Sequence, residues 1–216
     1  MPVHPTAIVS AAARIAETAE IGPYSIIGSE VEIGAGTRLG SRNTIREFVT
    51  IHRGTEGGGL VTCIGDDNLL MAYVHVAHDV HVGNRVVLAN AVTLGGHVAV
   101  GDWAVIGAST GVHQFCRVGR HAIIGGYSVV TQDVLPFSNT VSERGIKVFG
   151  ANRIGLERRG FEGGAIEKLQ TAFRLLTRAG LNTSQAVERI RAEIPECPEV
   201  DELLAFIGES QRGVIK

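Results

Sequence analysis

Aliphatic side chains recur every six residues along the first two thirds of the chain. Stepping from Val3 meets Val9, Ile15, Ile21, Ile27, Ile33, Leu39, Ile45 and Ile51, nine aliphatic positions in succession. After an interruption the step begins again at Ile64 and passes through Leu70, Val76, Val82, Leu88, Leu94, Val100, Ile106, Val112, Val118 and Ile124 to Val130, twelve more. A glycine often follows, as at Gly22, Gly28, Gly34, Gly65, Gly83 and Gly101. This is the hexapeptide repeat of a parallel β-helix. Each hexad predicts one short flat strand and one turn, and three hexads predict one triangular coil with the aliphatic side chains pointing inward. Coils joined by backbone hydrogen bonds rise about 4.8 Å each, so about seven coils span roughly 34 Å.

The interruption, residues 53–63 (RGTEGGGLVTC), is glycine-rich and unpatterned, and predicts a loop thrown outward from a corner. Beyond Val134 the period ends. Leu135 to Gly150 contains Pro136 and Gly145 and reads as a connector. The pattern then turns helical: Ile166, Leu169, Phe173 and Leu176 share one helical face that ends near Gly180. Thr183 or Ser184 is the expected cap of a second helix burying Ala186, Val187 and Ile190. Pro198 opens a third, carrying Val200, Leu203, Leu204 and Ile207. The expected division is a β-helix with its connector over residues 1–150 and a helical domain over 151–216.

Composition sharpens this picture. The chain has 28 glycines and only 5% aromatic residues, so its interior must be built from small aliphatic side chains. A hydrophobic share of 44% against 19% charged excludes general disorder. A net charge of −2 and a pI near 6.4 argue against a nucleic-acid partner. No apolar run reaches the roughly 18 residues of a membrane span, and MPVHPTAIVS lacks the basic start and apolar stretch of a signal peptide. Cys63, Cys116 and Cys197 share no metal or redox spacing, so a reduced, cytoplasmic protein is expected.

A coil made of three hexads turns spacing into geometry, because every third hexad returns to the same edge. His78, Gly96 and Gln114 fall in one column, and Asp79, His97 and Phe115 in the next. The stretch from Tyr73 to His81 puts three histidines and a carboxylate on non-inward positions, and His113 adjoins Gln114. Any one of these histidines alone reads as a surface residue. Together, an imidazole beside a carboxylate and one coil below a glycine supply a general base, its orienting partner and a backbone N–H donor. Cys116 falls inward and reads as core, Trp103 as a lone surface or interface ring, and neither a GxSxG elbow nor a phosphate loop occurs. A zinc hydratase sharing histidines across a subunit boundary is the competing chemistry, but the ligand spacing of such enzymes differs from His75, His78 and His81, and a carboxylate directly after the base fits acyl transfer better.

The segments IREFVTIHRGT, GDDNLLMAYVHVAHD, VGNRVVLAN, TLGGHVAVGD, VHQFCRVG and GLERRGF resemble the acyl-acyl carrier protein–UDP-N-acetylglucosamine O-acyltransferases, the first enzymes of lipid A biosynthesis. The resemblance covers nearly the whole chain and implies a left-handed coil and a homotrimer with each active site between two subunits. It implies His78 as general base, Asp79 as its partner and the Gly96 N–H as oxyanion donor. His75, His97 and His113 match histidines that line the cleft. Gln114 and His52 match sugar-nucleotide contacts, Asn152, Arg158 and Arg159 match tail residues near nucleotide and pantetheine, and Gly126 matches the position that limits acyl-chain length. The donor is an acyl carrier protein thioester, so no metal or other cofactor is expected, and Arg174, Arg178, Arg189 and Arg191 are candidates to meet the carrier protein.

The chain departs from that pattern in two places. It is about two coils short between Leu39 and Ile45, where the family carries a projecting loop with an Asp-x-Lys-Tyr motif. Its connector, Ser142 to Asn152, lacks the family's uridine-side histidine. The acceptor therefore stays open among the hydroxyl of UDP-N-acetylglucosamine, the amine of a UDP-3-amino sugar and another sugar nucleotide. A non-catalytic module that binds sugar nucleotide or acyl carrier is the remaining reading.

Overall fold

The computed structural model describes residues 3–142 and 146–216. Glu143, Arg144 and Gly145 of the expected connector lie outside the described residues, as do Met1 and Pro2. Twenty two-residue strands, β1 (Ile8–Val9) through β20 (Val129–Val130), follow one another along three flat faces. One face stacks the first, fourth and seventh strands and so on; the second starts at β2 (Arg14–Ile15) and the third at β3 (Glu20–Ile21). All these neighbours are parallel, and each strand pairs with the one three hexads further on, as in Ile8↔Ile26, His75↔Thr93 and His81↔Ala99. The protein is a parallel β-helix of about seven coils, as the period requires.

The inward column is the core. From Ile21 to Val130 every aliphatic hexad position is buried; Val3, Val9 and Ile15, on the uncovered first coil, are partly exposed. A second regularity was not legible as a motif. The third residue after most inward positions has a left-handed backbone: Tyr73, Asp79, Arg85, Ala91, His97, Trp103, Ser109, Phe115 and His121 all have φ between 55° and 64°. These corner residues stack coil upon coil. Phe48 and Tyr73 lie 4.9 Å apart, His97 and Phe115 4.6 Å.

The insertion separates β8 (Thr50–Ile51) from β9 (Cys63–Ile64) and contains a short 3-10 turn, Glu56–Gly58. Strands on either side of it still pair in register, Thr50 with His75 and Arg38 with Cys63. The insertion thus lengthens one coil by seven residues and leaves the stacking intact. Cys63, expected in the loop, already belongs to the next strand. No projecting loop interrupts β6 (Arg38–Leu39) and β7 (Thr44–Ile45); they are joined by an ordinary corner with Arg42 at φ 55°.

The described residues of the connector include two strands. β21 (Ser138–Ser142) and β22 (Ile146–Ala151) form an antiparallel pair that extends the first face beyond β19 (Ile123–Ile124). α1 (Arg153–Arg158) was not foreseen, because six residues hold too little apolar period. α2 (Gly163–Arg178), α3 (Thr183–Glu193) and α4 (Pro198–Glu209) match the helical pattern. The cap of α3 is Asn182 rather than Thr183 or Ser184: its side chain accepts from the Gln185 N–H while the Gln185 side chain accepts from the Asn182 N–H.

The helices dock by charge and stacking. Arg120 meets Glu202 of α4 at 2.5 Å, and Arg117 donates to the Phe206 carbonyl at 2.9 Å while lying over its ring. Trp103, expected as a lone surface or interface ring, is half-buried where the β-helix meets the tail. It stacks on His121 and takes Arg85 and Arg159 over its ring at 4.6 and 5.0 Å. His121 in turn stacks on Phe137 and meets Phe161 edge-on.

Candidate active site

β11 (His75–Val76), β14 (Thr93–Leu94) and β17 (Gly111–Val112) stack on the second face, and the corners that follow them stack as well. That single edge of the prism holds His52, His78, Asp79, Gly96, His97, His113 and Gln114. His78 lies directly beneath Gly96: a Cβ added at Gly96 would stand 2.5 Å from Cε1 and 2.7 Å from Nε2 of the imidazole. Only glycine admits the ring there. Among the described residues, no protein acceptor takes the Gly96 N–H.

Asp79 is 2% exposed, yet its carboxylate is fully engaged. Oδ1 accepts from the Thr55 N–H at 2.8 Å, and Oδ2 accepts from the Thr55 hydroxyl at 2.6 Å. Nδ1 of His78 is 2.8 Å from Oδ2, and Nε2 of His97 is 3.7 Å away. Burial alone would raise the Asp79 pKa. The bonds from Thr55 and His78, with the nearby His97, overcome it and hold the pKa at about 2. The carboxylate is therefore ionised and can only accept, which places the His78 proton on Nδ1 and leaves the Nε2 lone pair free.

His75 points outward from β11, with Nδ1 2.7 Å from the Thr50 hydroxyl and its ring edge-on to His52 at 4.6 Å. Burial, aided by His52, pushes its pKa below the ordinary imidazole value. His52, Arg53, Thr55 and His78 border a cleft of about 920 Å³ that runs down past Arg14 and Glu32. His97 is packed between the His78 ring edge and the face of Phe115.

Other expected site residues stand elsewhere. Gly126 is exposed at the corner between β19 and β20, a different edge of the prism. Asn152, Arg158 and Arg159 gather near the third edge. Asn152 is buried, caps α1 by accepting from the Gly155 N–H, and donates to the His121 carbonyl. Arg159 donates to the carbonyls of Gly155 and Trp103, whereas Arg158 is exposed. One chain thus brings together the expected base, its expected partner and the glycine, but not Gly126 or the tail residues.

Two contacts at this edge escaped the sequence reading. Thr55 holds Asp79 from inside the loop, and Arg212, in the last residues of the chain, reaches Nδ1 of His113 at 3.2 Å. Neither belongs to the six-residue period. Among the described residues, the one group of three side chains that could hold a metal is His78, Asp79 and His97. His81 stands apart from it, pointing outward from β12 (His81–Val82), on the third face.

Residues 133–215 match the family described as UDP N-acetylglucosamine O-acyltransferase, domain 2, and residues 64–96 match the bacterial transferase hexapeptide. The chain is 40% identical to the acyl-acyl-carrier-protein–UDP-N-acetylglucosamine O-acyltransferase of Myxococcus xanthus over 256 aligned positions, covering 99% of each protein. The chain belongs to the UDP-N-acetylglucosamine O-acyltransferase family. The enzyme of the same name from Paraburkholderia phymatum is 38% identical, again over 99% of each. Among solved structures, the family member from Moraxella catarrhalis superposes with a TM-score of 0.78 at 34% identity over 100% of both chains. The Arabidopsis acyltransferase gives 0.78 at 28% identity, covering 99% of this chain and 100% of that one. About 40 of the 256 positions aligned to the Myxococcus relative have no counterpart in these 216 residues, in keeping with a shortage of two coils.

Proposed function

We propose that this acyltransferase moves a (3-hydroxy)acyl chain from acyl carrier protein to the 3-hydroxyl of UDP-N-acetylglucosamine, the opening step of lipid A biosynthesis. The observation that carries this reading is the His78–Asp79 pair seated under Gly96. Nε2 of His78 takes the proton of the sugar hydroxyl as its oxygen attacks the thioester carbonyl. The ionised Asp79 holds the ring by Nδ1 and stabilises the imidazolium. The Gly96 N–H, free of protein acceptors among the described residues, donates to the oxyanion. When the tetrahedral intermediate collapses, the C–S bond breaks and His78 returns its proton to the departing thiolate, releasing the free thiol of the carrier protein.

The donor thioester supplies the acyl group, so the reaction requires no metal or other cofactor. His75, His97, His113, Gln114 and His52 line the path of the sugar nucleotide, with Gly126, Arg158 and Arg159 as further substrate-side positions. Exposed Arg174, Arg178, Arg189 and Arg191 on α2 and α3 offer cationic charge to the carrier protein. The cytoplasm, a reducing compartment, suits three free cysteines, and among the described residues no helix is long and apolar enough to cross a membrane.

The spread of expected site residues over three edges supports a homotrimer, in which a second copy presents its Gly126 edge to the His78 edge of the first. The outward row Ile8, Ile26, Thr44, Leu69, Val87, Val105 and Ile123, apolar at every position but Thr44, offers a face for such packing. A turnover assay with purified carrier-protein thioesters and both UDP-N-acetylglucosamine and its 3-amino analogue tests the activity. Transfer to neither sugar removes it, and transfer only to the amine reassigns the product from ester to amide. Binding of the sugar nucleotide without turnover leaves the binding module.

A further inference from the structure

The corner column that contains Asp79 provides its own comparison. Asp79, His97 and Phe115 occupy the same corner on successive coils with the same left-handed backbone, φ 59°, 60° and 64°. Phe115 is 52% exposed and the His97 side chain 27%, whereas the Asp79 side chain is 1% exposed. What differs is the seven-residue insertion, which folds back over this one corner. Gly54 is buried, and the Gly58 and Leu60 N–H groups both donate to the Thr55 carbonyl, which closes the loop into a compact turn. Gly58 rests directly on the carboxylate, where a Cβ would overlap the Asp79 side chain. Thr62, fully buried, accepts from the Asp79 N–H at 3.0 Å.

From this geometry we propose that the insertion is a positioning device for the base, and that Thr55 is its working residue. A carboxylate has few good acceptor directions. The Thr55 amide takes Oδ1 and its hydroxyl takes one side of Oδ2, so the remaining side of Oδ2 is directed to Nδ1 of His78. Thr55 thereby selects the ring orientation that turns Nε2 toward the acceptor. Without the hydroxyl, Oδ2 keeps a lone pair unpaired in a dry site, and the carboxylate rotates to satisfy it. Thr55 acts through Asp79 and His78, and the inference rests on their proposed catalytic roles.

The test compares Thr55→Val, Thr55→Ser and His78→Ala in the full chain with carrier-protein thioester and UDP-N-acetylglucosamine. Valine matches threonine in shape, so the loop keeps its packing and loses one hydrogen bond. The expected result is a fall in kcat of roughly ten- to a hundredfold for Thr55→Val, with KM for both substrates within about twofold. Thr55→Ser, which keeps the hydroxyl, should recover most of the rate. The downfield proton resonance of a hydrogen-bonded His78 Nδ1–H should be present in wild type and Thr55→Ser and shifted or lost in Thr55→Val. A Thr55→Val enzyme with unchanged kcat and unchanged Nδ1–H resonance, beside an inactive His78→Ala, overturns this inference alone. An active His78→Ala overturns the catalytic reading and this inference with it.

Discussion

Two backbone details give His78 its chemical character. A left-handed φ of 59° at Asp79 turns its carboxylate back along the coil toward the ring of the preceding residue, and the bare Cα of Gly96 leaves room for that ring one coil above. Gly96→Ala would set a methyl 2.5 Å from Cε1. The half-exposed His78 side chain can swing outward, so the expected cost falls on rate rather than on folding. We expect kcat to drop roughly a hundredfold with a thermal midpoint close to wild type; an active Gly96→Ala enzyme would show that the ring does not need this seat. Asp79→Asn offers an amide where His78, as the proposed base, calls for an anion, and inverts the preferred tautomer. Steady-state kinetics should show kcat lowered about 10³- to 10⁴-fold, the size of effect this exchange has in serine proteases.

At the scale of elements, a solenoid distributes its stability unevenly. Leu88 is completely buried with coils above and below, whereas Val9 sits on the uncovered first coil. Leu88→Ala should cost about 2–5 kcal/mol by chemical denaturation, and Val9→Ala well under half of that. Equal effects at the two positions would mean that the first coil is covered in solution. In the helical region, Asn182→Ala removes the cap of α3 together with its reciprocal bond to Gln185, a loss of about 1 kcal/mol.

For the whole molecule, pH acts first through the junction between β-helix and helices. His121 is 3% exposed between Trp103, Phe137 and Phe161, and among the described residues its Nδ1 has no hydrogen-bond partner. Burial, then the charges of Arg120 and Arg159, lower its pKa to about 4 against some opposition from Asp102. The unfolded chain binds this proton more tightly than the folded one, so stability falls as pH drops from about 6.5 through 4, by on the order of 3 kcal/mol. Asp79, with a pKa of about 2, adds its own loss only below about 3.8. Thermal midpoints measured across this range should decline for wild type, while His121→Phe, which keeps the stack without the titrating group, should decline clearly less between pH 6.5 and 4, His75 with its lowered pKa leaving a smaller residual slope. A wild-type midpoint insensitive to pH in that window would show that His121 takes up its proton without opening the junction.

The periodic part of this protein was determined by sequence. In a solenoid each contact recurs at a constant sequence separation, so counting by hexads located the core, and counting by whole coils placed His78 under Gly96 and His97 over Asp79. The helix faces followed from their own period. Tertiary structure alone decided what breaks the count: the folding of Thr55 and Gly58 onto Asp79, the return of Arg212 to His113, and the stacking of half-buried Trp103 on buried His121 where the tail docks. Those contacts depend on how one irregular segment packs on a regular surface, and shape and hydrogen-bond geometry set that choice without any repeating signal along the chain.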